Sequence, residues 1–168
     1  MLDLIDIADP SHPTYLGRYE DWIVPSGIFV SGGRAYLVGN RQQRVGYPVG
    51  TGVLRVIDIT EPAEPALQDS YVTGGDVSDV CVSGGTAYLV HATMPEWTGA
   101  TVRMLDVSDA TDSGELGAYD MPGCGNLRVP QRHTAYVARG FRADIPDPPD
   151  EYGLHFWSID TSNPASPR

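Results

Sequence analysis

Four residues are the candidates for metal binding or acid–base chemistry in this sequence: Asp76, Asp79, His91 and Asn126. Carboxylate and amide oxygens bind hard cations, and an imidazole changes its charge near neutral pH. The sequence contains an internal repeat, and Gly27, Asp79 and Asn126 hold equivalent positions in three successive copies of it. We therefore expect these three residues to surround the mouth of one central channel. Asp76 and Asp79 are therefore candidate ligands for a cation or a substrate hydroxyl, and His91 is the one histidine retained as a candidate site residue.

Other catalytic signatures are absent from the sequence. It has no Gly-x-Ser-x-Gly motif, no zinc-ligand spacing, no phosphate-binding glycine loop and no dinucleotide fingerprint. The acidic segment 144–151 lacks the glycine and the ligand spacing of a calcium loop. We therefore assign no catalytic residue and expect no cofactor, with calcium or another divalent metal as the alternative.

A second group of candidates combines aromatic and arginine side chains in segments where the repeats differ from one another. Variable loops on a rigid scaffold are where binding usually occurs, and Trp, Tyr and Arg dominate interface anchors. These segments are predicted to form one ligand-binding face. The competing interpretation is that the tryptophans only fix long loops to the rim. The residues are Trp22, Arg41, Arg44, Trp97, Arg139 and Arg142.

These candidates are positioned by a phrase that occurs four times. It reads Leu-Ile-Asp-Ile, Val-Ile-Asp-Ile, Met-Leu-Asp-Val and, more loosely, Trp-Ser-Ile-Asp, around Asp6, Asp58, Asp106 and Asp160, which lie 52, 48 and 54 residues apart. Strand-rich repeats of roughly this period are typical of propeller blades. Because the aspartate recurs in every repeat, we expect it to stabilise the following turn by accepting backbone N–H groups.

The rest of each repeat predicts three further strands. Tyr36, Tyr88 and Tyr136 each follow their aspartate by 30 residues, and a Ser-Gly-Gly turn precedes the first two. Glycine pairs of this kind connect β-hairpins. No window shows helical apolar periodicity over three turns, because Pro or Gly interrupts nearly all of them. The predicted fold class is all-β, with four-stranded antiparallel blades.

The Leu-x-Val-Ile-Asp-Ile phrase, the Asp/Glu-Pro-x-x-Pro turn and the Ser-Gly-Gly-x-Ala-Tyr-Leu-Val hairpin resemble the LVIVD-repeat β-propeller family. The resemblance covers essentially the whole chain. It implies a propeller and a bacterial surface or exported setting, so we expect an extracellular or cell-surface location for the full-length protein. The family is not tied to one reaction and supplies no catalytic residue. Fold alone does not assign a function.

The repeats divide the chain into a half blade (1–21), two full blades (25–73 and 77–121) and a partial blade (125–168). About three blades leave apolar faces uncovered at both ends of the array. We therefore expect a segment of a larger ring, completed by further blades of the same chain or by a second copy. We also expect the 168-residue segment alone to be unstable or to self-associate.

The amino-acid composition restricts the classes of partner that we expect this chain to bind. The chain has 168 residues and a net charge of −11, and its 11 basic residues are all arginine. This acidity argues against nucleic acid and against anionic membrane surfaces. No apolar run is long enough to span a bilayer, and no signal peptide is visible before the first strand. Cys81 and Cys124 occupy non-equivalent positions, so we expect no disulfide framework and a buried, apolar role for Cys81.

Two functional hypotheses follow from these observations. The first is a non-catalytic module that recognises a protein or a glycan through its variable loop face. The second is a propeller enzyme of hydrolase or oxidoreductase type, with a metal or cofactor at the channel mouth. Only Asp76, Asp79, His91 and Asn126 motivate the second hypothesis.

Overall fold

A computed structural model describes residues 1–41, 51–73, 75–93, 99–109, 111, 113–122, 126–128, 134–139 and 155–168. Within these ranges the chain forms strands, turns and bends, with no helix. The strands are β1 (Leu2–Asp6), β2 (Thr14–Tyr19), β3 (Ile23–Ser31), β4 (Arg34–Arg41), β5 (Gly52–Asp58), β6 (Ala66–Val72), β7 (Asp76–Ser83), β8 (Thr86–Thr93), β9 (Gly99–Asp106), β10 (Gly114–Pro122), β11 (Asn126–Arg128), β12 (Thr134–Arg139) and β13 (His155–Asp160).

The strands assemble into four antiparallel sheets, in chain order. Sheet I pairs β1 with β2, sheet II has the order β3-β4-β5-β6, sheet III runs β7-β8-β9-β10, and sheet IV runs β11-β12-β13. Each four-stranded sheet is a meander in which consecutive strands are neighbours, as in a propeller blade. The prediction of an all-β fold with four-stranded antiparallel blades is confirmed.

Glycine pairs form the hairpin turns at one end of sheets II and III. Gly32 and Gly33 have φ values of 59° and 74°, and Gly84 and Gly85 have φ values of 58° and 80°. Two successive positive φ angles define the turn type whose twist matches that of the flanking strands. Any other residue would be strained there, because a Cβ atom disfavours the left-handed region. The Ser-Gly-Gly motif therefore determines where the chain turns from β3 into β4 and from β7 into β8.

The four repeated aspartates close the turns that follow β1, β5, β9 and β13. In each case Oδ1 accepts the backbone N–H of the residue two positions later, at 2.8 Å for Asp6 and Asp58 and 2.9 Å for Asp106 and Asp160. The hydrogen bond from Thr60 holds the pKa of Asp58 below its ordinary value, as Ser108 does for Asp106. The structural role predicted for these aspartates is confirmed.

The core lies between the sheets rather than within one of them. Tyr36, Val38 and Leu54 of sheet II pack against Val80 and Leu105 of sheet III, and all five are buried. Two further clusters fill the spaces on either side, one between sheets I and II and one between sheets III and IV. Each sheet therefore stabilises its neighbour through one apolar face, as expected for stacked repeats.

Close backbone approach links the outermost strand of one sheet to the turn of the next. A Cβ atom added to Gly17 of β2 would lie under 3.0 Å from the carbonyl oxygen of Pro62, and one added to Gly117 of β10 would meet Pro164 in the same way. Asp69 takes the glycine position in sheet II. Its Oδ2 accepts the backbone N–H of Ser113 at 2.8 Å.

Sheet II has a hydrogen bond at Asp69 where sheets I and III have a closely packed glycine, and the difference has a chemical reason. Ser113 stands where the other three repeats have a proline, as at Pro65, and proline has no N–H to donate. The partly buried N–H of Ser113 therefore requires an acceptor that the other turns do not, and Asp69 supplies it. Burial raises the pKa of Asp69, but hydrogen bonding from Ser113 and from the Ser70 backbone N–H outweighs it, so the pKa lies below its ordinary value.

Cys81 on β7 is buried and not in a disulfide, in agreement with its predicted apolar role. Burial raises the pKa of its thiol to about 12, with a smaller contribution from Asp79. Cys124 lies outside the described residues. Over the described ranges the chain has no helix that is long and apolar enough to cross a membrane.

Candidate functional site

Trp22 and Arg41, two of the predicted binding residues, lie at the same end of sheet II. Ile23 opens β3 and pairs with Arg41, which closes β4, so the preceding residue Trp22 is on the same rim. The Trp22 side chain is 75% exposed. The backbone N–H of Arg41 donates to the carbonyl of Thr51 at 3.0 Å, which draws together the two ends of the variable segment between β4 and β5.

The backbone beneath Trp22 is held by a partly buried ion pair. Asp21 Oδ1 accepts the Trp22 N–H at 2.6 Å, and its other oxygen accepts Arg55 Nε from the middle of β5. The side chains of Arg55 and Asp21 are 11% and 14% exposed. Arg55 also donates to the hydroxyl of Ser70 on β6. The indole is therefore displayed from a fixed base rather than from a free loop.

The charge states of Asp21 and Tyr19, beneath Trp22, follow from the groups around them. Burial raises the pKa of Asp21, but the hydrogen bonds from Arg55 and from the Trp22 N–H outweigh it, so the pKa lies below its ordinary value. The pKa of Tyr19, whose hydroxyl is 3.5 Å from Asp21 Oδ2, is raised by burial and then by the negative charge of Asp21. Asp21 is thus ionised and Tyr19 is neutral at neutral pH.

An equivalent network joins sheets II and III. Tyr71 of β6 donates to Glu115 Oε2 at 2.8 Å, and Arg103 of β9 donates to the same oxygen. Tyr71 repeats Tyr19 and Arg103 repeats Arg55, but the acid comes from another place: Glu115 lies on β10. Burial lowers the pKa of Arg103, yet Glu115 raises it more, so the net shift is upward.

His91 belongs to this inter-sheet network. It is only 7% exposed, and its Nε2 lies 3.4 Å from an Arg103 guanidinium nitrogen. It pairs across β8 and β9 with Thr101 and across β7 and β8 with Val77. The predicted site residue His91 is therefore packed between two sheets and is not displayed at the loop surface.

Asp76 and Asp79 lie near the start of β7, where the sequence placed the channel mouth. Both are half-buried, and Asp79 Oδ1 accepts the N–H of Val80 at 2.9 Å. A Cβ atom on Gly27 would lie 3.2 Å from Asp79 Oδ1, so these equivalent positions of β3 and β7 are adjacent. Across the described part of the chain, no three His, Cys, Asp or Glu side chains form a group that could hold a metal ion.

The remaining predicted residues are placed only in part. Asn126 opens β11 and pairs with Ala138, and Arg139 closes β12 and pairs with His155. Arg44, Trp97 and Arg142 lie outside the described residues. The predicted face is thus represented in the structure by Trp22 and Arg41 at the rim of sheet II, with Asp76 and Asp79 on the neighbouring sheet.

A clamp between sheets II and III was not predicted from the sequence. The Asn40 side chain accepts the Val77 N–H at 3.0 Å and donates to the Val77 carbonyl at 3.4 Å, and Ser26 Oγ donates to the same carbonyl at 2.6 Å. The equivalent of Asn40 in the next repeat is Ala92, so repetition gave no signal. The sequence does contain a signal for the ion pairs of Arg55 and Arg103, because each arginine interrupts an apolar strand three residues before its aspartate.

The family comparison agrees with this architecture. The model of the LVIVD repeat matches residues 1–21, 49–73 and 74–93. This chain carries LVIVD repeats. The resemblance drawn from the repeated phrase is therefore confirmed for these segments, which contain β1 and β2 of sheet I, β5 and β6 of sheet II, and β7 and β8 of sheet III. A search of curated proteins gives no significant match.

The LVIVD frame and the rim have different chemistry. The frame uses backbone pairing, aspartate-capped turns and Tyr–acid–Arg contacts, which join groups of the protein to one another. The rim presents an exposed indole and an arginine at the start and the end of two paired strands. Such groups pack on planar or apolar surfaces and donate hydrogen bonds, and the guanidinium also attracts negative charge; they do not themselves break covalent bonds.

Proposed function

We propose that this LVIVD-repeat chain is a non-catalytic recognition module that binds a protein or a glycan at a bacterial surface through its variable loop face. The single observation that carries the proposal is Trp22, a large aromatic side chain that is 75% exposed although it stands on a rigid base. Tryptophan is enriched among the residues that contribute most to protein interfaces, so an exposed indole on a fixed backbone favours a role in binding.

The base of Trp22 explains why exposure there favours recognition. The Asp21–Arg55 pair and the Trp22 N–H hydrogen bond hold the backbone before any ligand arrives. A preformed anchor loses less conformational entropy on binding than a flexible loop does, so more of the contact energy appears as affinity. Arg41 on the same rim adds a guanidinium that can meet carboxylate, carbonyl or hydroxyl groups of the ligand.

The experiment measures binding of the fluorescently labelled protein to isolated bacterial cell envelopes. We expect saturable binding that the Trp22→Ala, Trp97→Ala double variant weakens about tenfold or more, as expected for loss of aromatic anchors. Tyr15→Ala removes another aromatic side chain that is 58% exposed on β2 and serves as the matched control, with unchanged binding. Treating the envelopes with protease or with periodate separates a protein ligand from a glycan.

The alternative function is a propeller enzyme with a metal or cofactor at the channel mouth. Metal analysis of the purified protein distinguishes it, since a stoichiometric ion removed by Asp76→Ala, Asp79→Ala would favour the enzyme. Envelope binding that survives loss of both tryptophans would contradict the recognition module.

A further inference from the structure

His91 is a buried histidine in the contact between sheets II and III. Its side chain is on the same face of β8 as those of Ala87 and Leu89, because alternate residues of a strand share a face. Ala87 and Leu89 belong to the cluster that packs against sheet II. Both sheets have all four strands, so the contact that contains His91 is complete within this chain.

The hydrogen bond between His91 and Arg103 determines which protonation state of the ring fits this contact. His91 Nε2 lies 3.4 Å from Arg103 Nη2. A guanidinium has donors and no acceptor, so Nε2 accepts and carries no proton. The imidazole is therefore neutral, with its proton on Nδ1. A proton added to Nε2 would remove the acceptor and place two cations side by side in a buried contact, which is unfavourable.

The other titratable groups in this contact are already joined to Arg103. Arg103 lies on β9 and donates through Nη1 to Glu115 of β10. The same carboxylate oxygen accepts the hydroxyl of Tyr71, which comes from β6 of sheet II. The side chains that β4 and β5 direct into the contact are apolar, amide or phenol groups, which do not titrate between pH 5 and pH 8. They are Tyr36, Val38, Asn40, Leu54 and Val56.

The two carboxylates of the neighbouring strand β7 belong to the other face of sheet III. Asp76 and Asp79 pair with Ala92 and Val90 of β8, whereas His91 pairs with Val77. Because side chains alternate along a strand, Ala92 and Val90 point away from the face that carries His91. Val90 accordingly packs in the cluster between sheets III and IV.

The preceding repeat provides an internal comparison. Gly39 is the equivalent of His91, and Arg55 is the equivalent of Arg103. Arg55 binds the carboxylate of Asp21, whose pKa lies below its ordinary value. Carboxylates change charge near pH 4, and an unperturbed histidine does so near pH 6.5. Mild acid therefore acts on the contact between sheets II and III and leaves the Asp21–Arg55 pair between sheets I and II unchanged.

We propose that His91 is an acid-sensitive switch of the contact between sheets II and III, which is closed while the ring is neutral and opens when the ring takes up a proton. Once the contact opens, the ring is in water and binds its proton near pH 6.5. The contact is thus at full strength above about pH 6.5 and weakens as the pH falls below it. Opening releases Val77 of β7 from Asn40 and Ser26 of sheet II, so the rims of the two sheets separate.

Amide hydrogen exchange of the full chain, followed by NMR at pH 7.5 and pH 5.5, tests this proposal. The Val77 N–H donates to Asn40 Oδ1 across the contact at 3.0 Å, so its protection factor reports directly on opening. We expect that protection factor to fall about threefold to tenfold at pH 5.5, because proton uptake by the open state favours opening by up to about tenfold over this range. The N–H of Ile59, bonded to Gly33 within sheet II at 2.9 Å, should keep its protection factor.

Two glutamine variants separate His91 from the other histidines. His91→Gln keeps an amide oxygen that can accept from Arg103 but cannot take up a proton, so Val77 protection should no longer depend on pH. His12→Gln is the matched control, because His12 is an exposed histidine in the turn after β1, beside Asp9. We expect the His12→Gln protein to respond to pH as the unaltered protein does.

Three results would overturn the switch. These are equal Val77 protection at both pH values in the unaltered protein, the same fall in the His91→Gln protein, and a His91 ring that NMR titration shows to be protonated while Val77 protection is unchanged. The third measurement uses the unaltered protein and therefore decides the matter even where His91→Gln does not fold. None of these measurements includes a ligand, so their outcome is independent of the proposed recognition function.

Discussion

A single carboxylate, Asp21, connects the LVIVD frame to the proposed binding rim. It joins Arg55 on β5 to the backbone of Trp22, and it lies in the contact between sheets I and II. Placing a charge in such a contact is costly unless a partner compensates it, and truncating one partner leaves the other uncompensated. Asp21 therefore affects both the stability of the sheet contact and the position of the indole.

The Asp21 pair predicts a pH-dependent contribution to stability. The folded pKa of Asp21 is below the ordinary value of about 3.9, so its contribution is complete above that value and is lost as the pH falls through the folded pKa. We expect Asp21→Asn to lower the free energy of unfolding by about 2 kcal/mol at pH 7, the usual value of a charged hydrogen bond.

Urea denaturation of the two proteins between pH 7 and pH 2.5 measures this effect. The difference in unfolding free energy should shrink below pH 4, because protonated Asp21 no longer attracts Arg55 as a carboxylate does. A difference that stays constant over this range would show that charge on Asp21 is not what stabilises the contact.

At the scale of the strand, the contact between successive sheets depends on how closely two backbones approach. Gly117 of β10 lies directly against the carbonyl of Pro164 in the turn after β13, as Gly17 does against Pro62. In sheet II the equivalent position is Asp69, and the contact becomes a hydrogen bond to Ser113. The outermost strand therefore contacts the next turn in one of two ways. Gly17 and Gly117 pack closely against a proline-containing turn, whereas the Asp69 carboxylate accepts a backbone N–H.

Gly117→Ala should destabilise the chain by about 2 kcal/mol, because a Cβ atom there has no space beside Pro164 and the strand must move outward. Gly114→Ala on the same strand is the matched control, since a Cβ atom at Gly114 meets no other described residue within 4 Å. We expect Gly114→Ala to stay within about 0.5 kcal/mol of the unaltered chain. Thermal melts followed by circular dichroism compare them, and equal melting temperatures for both variants would exclude close packing at Gly117.

At the scale of the whole molecule, the two terminal sheets expose residues that their repeat equivalents bury. Phe156 of sheet IV is 66% exposed and stacks on Tyr136 with 5.5 Å between ring centroids. Its equivalents Leu54 and Val102 are fully buried. Position in the array, and not residue type, therefore decides burial.

This difference predicts unequal costs for the same type of truncation. Leu54→Ala should lower the free energy of unfolding by about 3 kcal/mol, because it opens a cavity between sheets II and III. Phe156→Ala should cost about 1 kcal/mol or less, since it loses only the exposed stacking contact with Tyr136. Guanidinium denaturation measures both. A cost for Phe156→Ala as large as that for Leu54→Ala would show that another surface covers this face in solution.

The local parts of the fold could be predicted from the sequence. The Ser-Gly-Gly turns, the aspartate-capped turns and the buried role of Cys81 each depend on contacts between near neighbours or on the alternation of one strand. Backbone sterics and hydrogen bonds two residues apart are the same wherever the segment lies. Repetition of the phrase then made the four-sheet order predictable, because equivalent segments adopt equivalent strands.

Only the tertiary structure decided which side chains meet between sheets. Arg55 binds Asp21 from the connection after β2, whereas Arg103 binds Glu115 from β10, although the two arginines are equivalent in sequence. His91, predicted as a site residue, is packed beside Arg103 for the same reason. Arg55 takes its acid from the connection that precedes its own sheet, whereas Arg103 takes its acid from the adjacent strand, and the repeat does not specify which of the two is used. The repeat period therefore determines the frame, while packing between sheets determines the charge pairs and the apolar surface left open.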